Sequence, residues 1–258
     1  MRIISLAENT SCRKDLGAEH GLSLYIETLN HKLLFDMGQT GLFAENARKL
    51  DVDLAAVNIA ILSHGHYDHG GGLETFLKIN KKAPVYLSRH AFEAHYNGTE
   101  KYIGLDVKLQ AHPRLIFTED VTPICKGLTL YSCNEKNRNY DLGSFGLNRK
   151  EDGQFLPDDF RHEQYLLIEE EGKRVLISGC SHKGILNIVQ WFQPQVLVGG
   201  FHFSKLPLDD TLKTYAQYLE ESGTVFYTCH CTGTRQFDFM KQSMSRLSYF
   251  SCGETLIL

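Results

Sequence analysis

The chain has 258 residues, 42% of them hydrophobic, and a formal net charge of −4, which is typical of one compact globular domain without a basic surface for nucleic acid or anionic lipid. Its seven cysteines are an odd number with scattered spacing, so we expect no disulfide framework and a reducing, cytoplasmic environment. No apolar run approaches the roughly 18 residues that span a bilayer, and the N-terminal apolar stretch is too short for a signal peptide.

The first third of the chain predicts antiparallel strands. The apolar stretches 22–27 and 32–36 are separated by Thr28-Leu29-Asn30-His31, which has the composition of a hairpin turn. The next apolar run, 57–62, predicts a buried strand and leads directly into a cluster of histidines.

This cluster places His64, His66, Asp68 and His69 in six consecutive positions. Imidazole and carboxylate ligands suit zinc, manganese or ferrous iron. His64 and His66 lie two residues apart on an extended segment and therefore point the same way, toward one ion. Asp68 and His69 follow at a turn and aim at a second position, and the three glycines that follow permit a tight turn into a predicted helix over 73–77. The alternative interpretation is a histidine-rich surface loop.

Residues 88–160 form the least regular stretch, which is rich in aromatic residues and turn formers. Because loops on a rigid scaffold commonly carry specificity, we expect this insertion to select the substrate. Arg149, together with Arg138, Asn148 and Lys150, would suit a phosphate group of that substrate; a solvated loop is the alternative. No repeat, low-complexity tract or linker interrupts the chain, so we expect a single domain over residues 1–258.

Four apolar runs end shortly before a candidate ligand. They are 57–62 before His64, 174–177 before Cys180 and His182, 195–198 before His202, and 224–227 before His230. Sites in layered α/β proteins form beyond the carboxyl ends of strands, where loops converge on rigid supports. Amphipathic helices are predicted over 184–192 and 209–221, so we expect helices outside two packed sheets.

The pattern His-x-His-x-Asp-His after a strand resembles the signature of the metallo-β-lactamase superfamily of metal-dependent hydrolases. Further blocks resemble the 7,8-dihydropterin-6-methyl-4-(β-D-ribofuranosyl)aminobenzene 5′-phosphate synthase-like branch of that superfamily. These blocks lie at residues 18–23, 34–39, 178–182, 199–202 and 229–233. The resemblance covers nearly the whole chain and implies an α/β fold, built as a four-layer αββα sandwich of two mixed sheets with outer helices.

The resemblance also implies a set of metal ligands. Three histidines would hold a first ion: His64, His66 and His162. Three side chains would hold a second ion: Asp68, His69 and His230. Cys180 occupies the position at which most relatives carry a bridging aspartate, and its thiolate suits zinc better than a hard ion. We therefore expect one or two zinc ions, with manganese or iron as alternatives.

Other residues of the site have two interpretations each. Asp36 resembles the first-motif aspartate of the superfamily, which implies that it orients the histidine loop by accepting hydrogen bonds without binding metal; the alternative is a turn aspartate before Gly38. His182 and His202 would act as substrate ligands or proton donors, or they satisfy loop carbonyls. His20 is interpreted in the same way.

The remaining cysteines and histidines are expected to be structural. Cys229 and Cys231 flank His230, and strand alternation would turn both side chains away from the direction of His230, so we interpret them as packing residues. Four histidines have no partner by spacing and are interpreted as surface or structural residues: His31, His90, His95 and His112.

Together these patterns favour a metal-dependent hydrolase, in which a metal-bound hydroxide oriented by Asp68 attacks an ester, thioester, lactone or phosphoester of a small molecule. The resemblance implies an alternative, the condensation of a pterin diphosphate with a ribofuranosylaminobenzene phosphate. A third alternative is a non-catalytic metal-binding or sensing protein. The sequence leaves these three functions and the oligomeric state open, and it predicts no nucleic-acid or membrane partner.

Overall fold

A computed structural model describes residues 1–258 of the protein. Its β-strands, numbered in chain order, are β1 (Arg2–Ala7), β2 (Ser23–Glu27), β3 (Lys32–Phe35), β4 (Ile59–Ile61), β5 (Val85–Ser88), β6 (Ala94–Asn97), β7 (Lys101–Tyr102), β8 (Leu115–Thr118), β9 (Val121–Cys125), β10 (Leu128–Tyr131), β11 (Leu147–Glu151), β12 (Gln154–Pro157), β13 (Tyr165–Glu170), β14 (Lys173–Ile177), β15 (Val196–Gly199), β16 (Val225–Thr228), β17 (Leu247–Tyr249) and β18 (Thr255–Ile257). Its α-helices are α1 (Leu42–Lys49), α2 (Tyr67–Gly70), α3 (Leu73–Ile79), α4 (Ile185–Phe192), α5 (Asp210–Glu221) and α6 (Thr234–Lys241). Short 3₁₀ helices lie at Leu54–Ala56, Val107–Leu109 and His230–Thr232.

The elements form two compact units. Unit 1 consists of Met1–Glu119, Gly146–Gln164 and Ser251–Leu258, and unit 2 consists of Asp120–Phe145 and Tyr165–Phe250. The single domain predicted over residues 1–258 stays a prediction.

Unit 1 contains a seven-stranded sheet in the order β18-β1-β2-β3-β4-β5-β8. Its strands β1 to β3 pair antiparallel, and β3, β4, β5 and β8 pair parallel, so the sheet is mixed. The predicted hairpin is confirmed as β2 and β3, whose turn is closed by a 2.9 Å hydrogen bond from Thr28 N to His31 O. The predicted helix is confirmed as α3. Phe43 of α1 and Phe76 of α3 are fully buried in the core of this unit and hold its loops on a rigid support.

A second sheet of unit 1 lies within the stretch 88–160. It has four strands in the order β12-β11-β6-β7, all antiparallel. The sequence predicted this stretch to be irregular, whereas the structure forms regular strands in it. Its strands are short and most of their side chains are half-buried or exposed, so they lack the apolar alternation from which a strand can be predicted.

Unit 2 contains a seven-stranded sheet in the order β17-β16-β15-β14-β13-β10-β9. Strands β14 to β17 pair parallel, and β9, β10, β13 and β14 pair antiparallel. The two helices predicted beside this sheet are confirmed as α4 and α5. Helix α5 begins after Asp209, whose carboxylate accepts hydrogen bonds from the N–H groups of Thr211 and Leu212. Leu186 and Leu212 of these helices are fully buried with the sheet residues Leu197 and Phe226.

The predicted α/β class, with mixed sheets and helices packed on them, is confirmed. No helix of the structure has both the length and the apolar character that crossing a bilayer requires.

Candidate functional site

The loops after β3 and β4 in unit 1 carry the first group of candidate ligands. The two strands pair in parallel, with Phe35 opposite Ile61, so the loops that follow them begin side by side. Asp36 lies on the first loop, and its two carboxylate oxygens accept hydrogen bonds from the N–H (2.6 Å) and hydroxyl (2.7 Å) of Ser63 on the second. Asp36 thus ties the start of the histidine cluster to its neighbouring strand.

Asp36 also determines which ring nitrogens face a ligand. His69 Nδ1 lies 2.7 Å from Asp36 Oδ2, and an ionised carboxylate only accepts hydrogen bonds, so the hydrogen of His69 is on Nδ1. His64 Nδ1 lies 2.8 Å from the Ser63 hydroxyl, which itself donates to Asp36, so His64 also carries its hydrogen on Nδ1. Both rings therefore present Nε2 with a lone pair, the form that binds metal.

The buried histidine cluster is compact. The ring centroid of His64 lies 4.6 Å from that of His66 and 4.1 Å from that of His69. Asp68 Oδ2 is 3.9 Å from His69 Nε2. All four side chains are buried. The structure therefore brings together the four residues that the sequence singled out, although their roles as ligands stay predictions.

Glycines let the backbone after the cluster pass close to the first loop. A Cβ atom on Gly71 would lie 2.1 Å from Gln39 O, and one on Gly72 would lie 2.2 Å from Met37 O. No side chain fits at either position. The glycine run is therefore a packing requirement of the turn that positions Asp68 and His69.

His162 joins the same part of unit 1. It is fully buried, its ring centroid is 5.0 Å from that of His66, and its Nδ1 accepts a 2.9 Å hydrogen bond from Gly65 N. Its neutral ring then carries the hydrogen on Nε2, which lies 3.4 Å from Asp158 Oδ2. For His162 to bind an ion through Nε2, the ring must exchange tautomer and give up the Gly65 hydrogen bond.

Two residues of this group, His95 and Asp158, were not predicted as site residues from the sequence. His95, interpreted as a surface or structural histidine, is fully buried with its ring centroid 3.9 Å from that of His162. Its Nδ1 bonds Asp158 Oδ2 at 2.8 Å, and its buried Nε2 makes no hydrogen bond. Pairing of β6 with β11 positions His95 opposite Arg149. The sequence spacing around His95 carries no signal for this contact.

Four buried side chains of unit 1 offer ligand atoms that all lie within 4.8 Å of one another: His66, His95, Asp158 and His162. Burial, and then the charges of His162 and His95, lower the pKa of His66 well below its ordinary value of 6.5, so its imidazole stays neutral. Burial opposes ionisation of Asp158, but the charges and hydrogen bonds of His162 and His95 outweigh it and lower the pKa of this carboxyl. Three imidazoles, one carboxylate and the unbonded Nε2 of His95 suit a divalent transition metal ion.

Unit 2 carries a second group, on the loops after its parallel strands. Ile177 pairs with Val198, and Gly199 pairs with Thr228, so the loops after β14, β15 and β16 leave the sheet at one edge. A Cβ atom on Gly199 would lie 2.0 Å from Ser178 O. The loops can approach this closely only because residue 199 is glycine.

Cys180, His182 and His202 offer ligand atoms within 4.8 Å of one another. The ring centroids of the two histidines are 4.3 Å apart. The buried Nδ1 of His202 makes no hydrogen bond, and its ring lies edge-on to Phe145, with the centroids 5.1 Å apart. The structure therefore places both histidines beside Cys180. Their predicted roles toward substrate stay predictions.

Cys180, His230 and Cys231 form an overlapping group with the same spacing of ligand atoms. The expectation that Cys231 packs on the far side of His230 is wrong. Alternation applies to extended chain, whereas residues 230–232 form a 3₁₀ helix, which brings Cys231 to the same group as His230. Burial raises the pKa of the Cys231 thiol, but hydrogen bonds with Cys180 and His202 and the charge of His230 lower it well below its ordinary value.

Two further predicted residues lie in unit 1. His20 has a side chain that is 55% exposed, and its Nε2 is 3.2 Å from Asp68 Oδ2. Arg149 forms ion pairs with Glu151 and, at 3.5 Å, with Asp159. These carboxylates already balance its charge, and binding of a substrate phosphate by Arg149 stays a prediction. The ligands predicted for the second ion are divided between the units, with Asp68 and His69 in unit 1 and Cys180 and His230 in unit 2.

Both a family model and a solved structure that are similar to this chain come from one superfamily. The family model of the metallo-beta-lactamase superfamily matches residues 16–221. A solved structure described as Tm1679, a metal-dependent hydrolase of the beta-lactamase superfamily, is 32% identical to the chain and superimposes on it with a TM-score of 0.86. The match covers 100% of this chain and 99% of the solved chain.

Two relatives come from Methanocaldococcus jannaschii. The uncharacterized protein MJ0448 is 29% identical over 248 residues, covering 92% of this chain and 93% of its own length. The 7,8-dihydropterin-6-methyl-4-(beta-D-ribofuranosyl)-aminobenzene-5'-phosphate synthase is 27% identical over 262 residues, covering 90% of this chain and 88% of its own length.

Proposed function

Because this chain belongs to the metallo-β-lactamase superfamily, we propose that it is a metal-dependent hydrolase of a small-molecule substrate. We further propose that its ion is bound by the buried histidine group of unit 1, which consists of His64, His66, His69, His95 and His162 together with Asp68 and Asp158. The metallo-β-lactamase fold predicted from the sequence is confirmed by the family match and by the solved relative. The similarity to a metal-dependent hydrolase over the full chain supports the reaction class.

The observation that carries the proposal is the hydrogen-bond network of Asp36. One carboxylate, directly and through Ser63, fixes the hydrogens of His69 and His64 on Nδ1. Two imidazoles of one cluster therefore present Nε2 lone pairs in a buried site. Partners of this kind orient metal-binding histidines and are expected where a metal is bound, whereas histidines that only pack do not require them.

The residues of unit 1 perform defined tasks in such a reaction. A bound divalent ion lowers the pKa of water to make a nucleophile near neutral pH and polarises the bond under attack. His66 stays neutral because its site is buried, so no proton competes for it. Asp68, with a side chain that is 12% exposed, can accept a hydrogen bond from the attacking water and hold it in line. Zinc is the ion we propose, with manganese and iron as the alternatives that the same ligands accept.

The synthase of Methanocaldococcus jannaschii supports a second candidate function, since its similarity extends over most of both chains. In that reaction the ion would stabilise a departing diphosphate instead of activating water. Both functions require the same metal group in unit 1. They differ in whether water is consumed.

Incubation of the metal-loaded protein with a panel of carboxylic esters, thioesters, lactones and phosphoesters tests the proposal. We expect mass spectrometry to detect hydrolysis of at least one class by the wild-type protein and none by His66→Ala. The control is His112→Ala, at a half-buried histidine whose Nδ1 accepts a hydrogen bond from Arg114 N. Condensation of a pterin diphosphate with a ribofuranosylaminobenzene phosphate, without hydrolysis of any panel member, would replace the hydrolase by the synthase.

A further inference from the structure

We propose that unit 2 binds a zinc ion through two thiolates and one imidazole, those of Cys180, Cys231 and His230. The proposal rests on the proposed function in that it assigns ligands to an ion of a metal-dependent enzyme. Its new element is Cys231, which no motif of the sequence indicated.

The geometry of the three side chains supports a shared ion. Their ligand atoms lie within 4.8 Å of one another. Cys180 and Cys231 are 2% and 6% exposed, and His230 is 1% exposed. Two thiols and an imidazole that converge in a buried site offer the ligand types of protein zinc sites.

The local backbone explains why Cys231 reaches this group. Cys229 is extended, with φ −160°. The chain then turns at His230, which adopts φ +50°, and continues as the 3₁₀ helix His230–Thr232. A non-glycine residue in the left-handed region is costly and persists only where its surroundings require it. The turn directs both His230 and Cys231 toward Cys180.

Contacts around the turn hold it in place. The Thr232 hydroxyl accepts a 2.8 Å hydrogen bond from Phe201 N, and Cys231 Sγ lies 3.5 Å from Cys180 O. A Cβ atom on Gly200 would lie 2.4 Å from Cys231 Sγ. Glycine at position 200 therefore provides the space that the sulfur occupies.

Charge and ligand number indicate which ion the group would bind. Two thiolates bring a charge of −2, which balances a divalent cation in a buried site, and their softness favours zinc over magnesium, calcium or manganese. Binding releases both thiol protons to solvent. Three protein ligands leave a fourth position open, as in catalytic zinc sites. His202 offers a ligand atom in the group that shares Cys180, and its buried Nδ1 makes no hydrogen bond.

Zinc K-edge X-ray absorption of the zinc-loaded protein tests the proposal. The absorption spectrum gives the number of sulfur ligands per zinc ion. This number, multiplied by the number of zinc ions per chain, gives the number of sulfur ligands per chain. We expect two for the wild-type protein and one for Cys231→Ser, with zinc affinity weakened at least about tenfold. Cys229→Ser is the matched control, because Cys229 is also buried, directly precedes His230 in the chain and is not a member of the two groups Cys180–His182–His202 and Cys180–His230–Cys231. It should keep two.

Fewer than two sulfur ligands per chain in the wild-type protein, or an unchanged number in Cys231→Ser, would overturn the proposal. The wild-type measurement decides even if the variant does not fold. Two sulfur ligands without hydrolysis of any substrate class would leave this zinc site intact and overturn the hydrolase function. Hydrolysis by a protein with one sulfur ligand per chain would support the hydrolase function and overturn this zinc site.

Discussion

Asp36 and His69, on the loops that follow neighbouring parallel strands, are joined by a hydrogen bond of 2.7 Å between Oδ2 and Nδ1. The same carboxylate accepts two hydrogen bonds from Ser63. The hydrogen bond between Asp36 and His69 therefore joins the two loops, and it leaves His69 Nε2 as the nitrogen with a lone pair.

Replacing Asp36 by Ala should damage both stability and metal binding. The buried N–H of Ser63 and the Nδ1–H of His69 would lose their acceptor, which costs about 1–3 kcal/mol of unfolding free energy. Metal affinity should fall about 10- to 100-fold, as for other partners that orient ligands. Urea unfolding and chelator competition measure the two effects. Asp53→Ala is the control, since Asp53 accepts a hydrogen bond from Ala55 N at an exposed 3₁₀ helix. Equal metal affinity in both variants would contradict the role of Asp36.

His95→Ala should weaken metal binding in unit 1, although His95 is outside the histidine motif. The change removes one hydrogen-bond partner of Asp158 and a buried nitrogen within 4.8 Å of the ligand atoms of His66 and His162. We expect a loss of metal affinity of about 10- to 100-fold, measured by competition with a chromophoric chelator. His112→Ala should match the wild-type protein. If His95→Ala also matches it, His95 has only a structural role.

The sequence predicted the part of the site that is encoded locally. His64, His66, Asp68 and His69 are neighbours in the chain, and their spacing, with the strand before and the glycines after, indicates a metal group without knowledge of the tertiary structure. The orienting role of Asp36 was predicted from the resemblance to the superfamily, with a turn aspartate as the alternative. The hairpin β2–β3 and the helices α4 and α5 were predicted for the same reason, since the hairpin has the composition of a turn and each helix has apolar residues at helical spacing.

The residues that were missed depend on tertiary pairing or on local backbone geometry. His95 reaches His162 because β6 pairs with β11, and these short, half-exposed strands give no periodic signal. Cys231 was assigned to the wrong side of His230 because alternation was assumed where the chain forms a 3₁₀ helix. Neither a distant strand pairing nor a positive φ at a histidine is visible in the spacing of a single sequence.

The unfolding free energy of the metal-free protein should depend on the protonation of His66. Its pKa is lowered well below 6.5 in the folded state by burial and by His162 and His95, whereas an unfolded histidine titrates near about 6.5. Around and below that pH the unfolded state therefore binds more protons than the folded state. The free energy of unfolding should decrease as the pH is lowered from about 7 to about 5, by up to about 1.4 kcal/mol per pH unit for this group. Urea unfolding across this range should show a shallower slope for His66→Gln than for the wild-type protein. A slope that is the same in both proteins would exclude His66 as its source.

Gly200→Ala should destabilise unit 2 and displace Cys231. The added Cβ atom would meet Cys231 Sγ at 2.4 Å and Gly179 O at 3.1 Å, and overpacking of this kind costs about 1–3 kcal/mol. Thermal unfolding measures the loss. Gly41→Ala is the control, because a Cβ atom there contacts only Thr75, at 3.6 Å. A Gly200→Ala variant as stable as Gly41→Ala would show that Cys231 has room to move.

Metal analysis of the purified protein tests the central claim most directly. The two groups of buried imidazole, carboxylate and thiol ligands predict one to two transition-metal ions per chain after growth with zinc, manganese and iron supplied. His66→Ala, analysed in parallel and checked for retained secondary structure, should contain fewer. Less than about half an equivalent of metal in the wild-type protein would contradict the account.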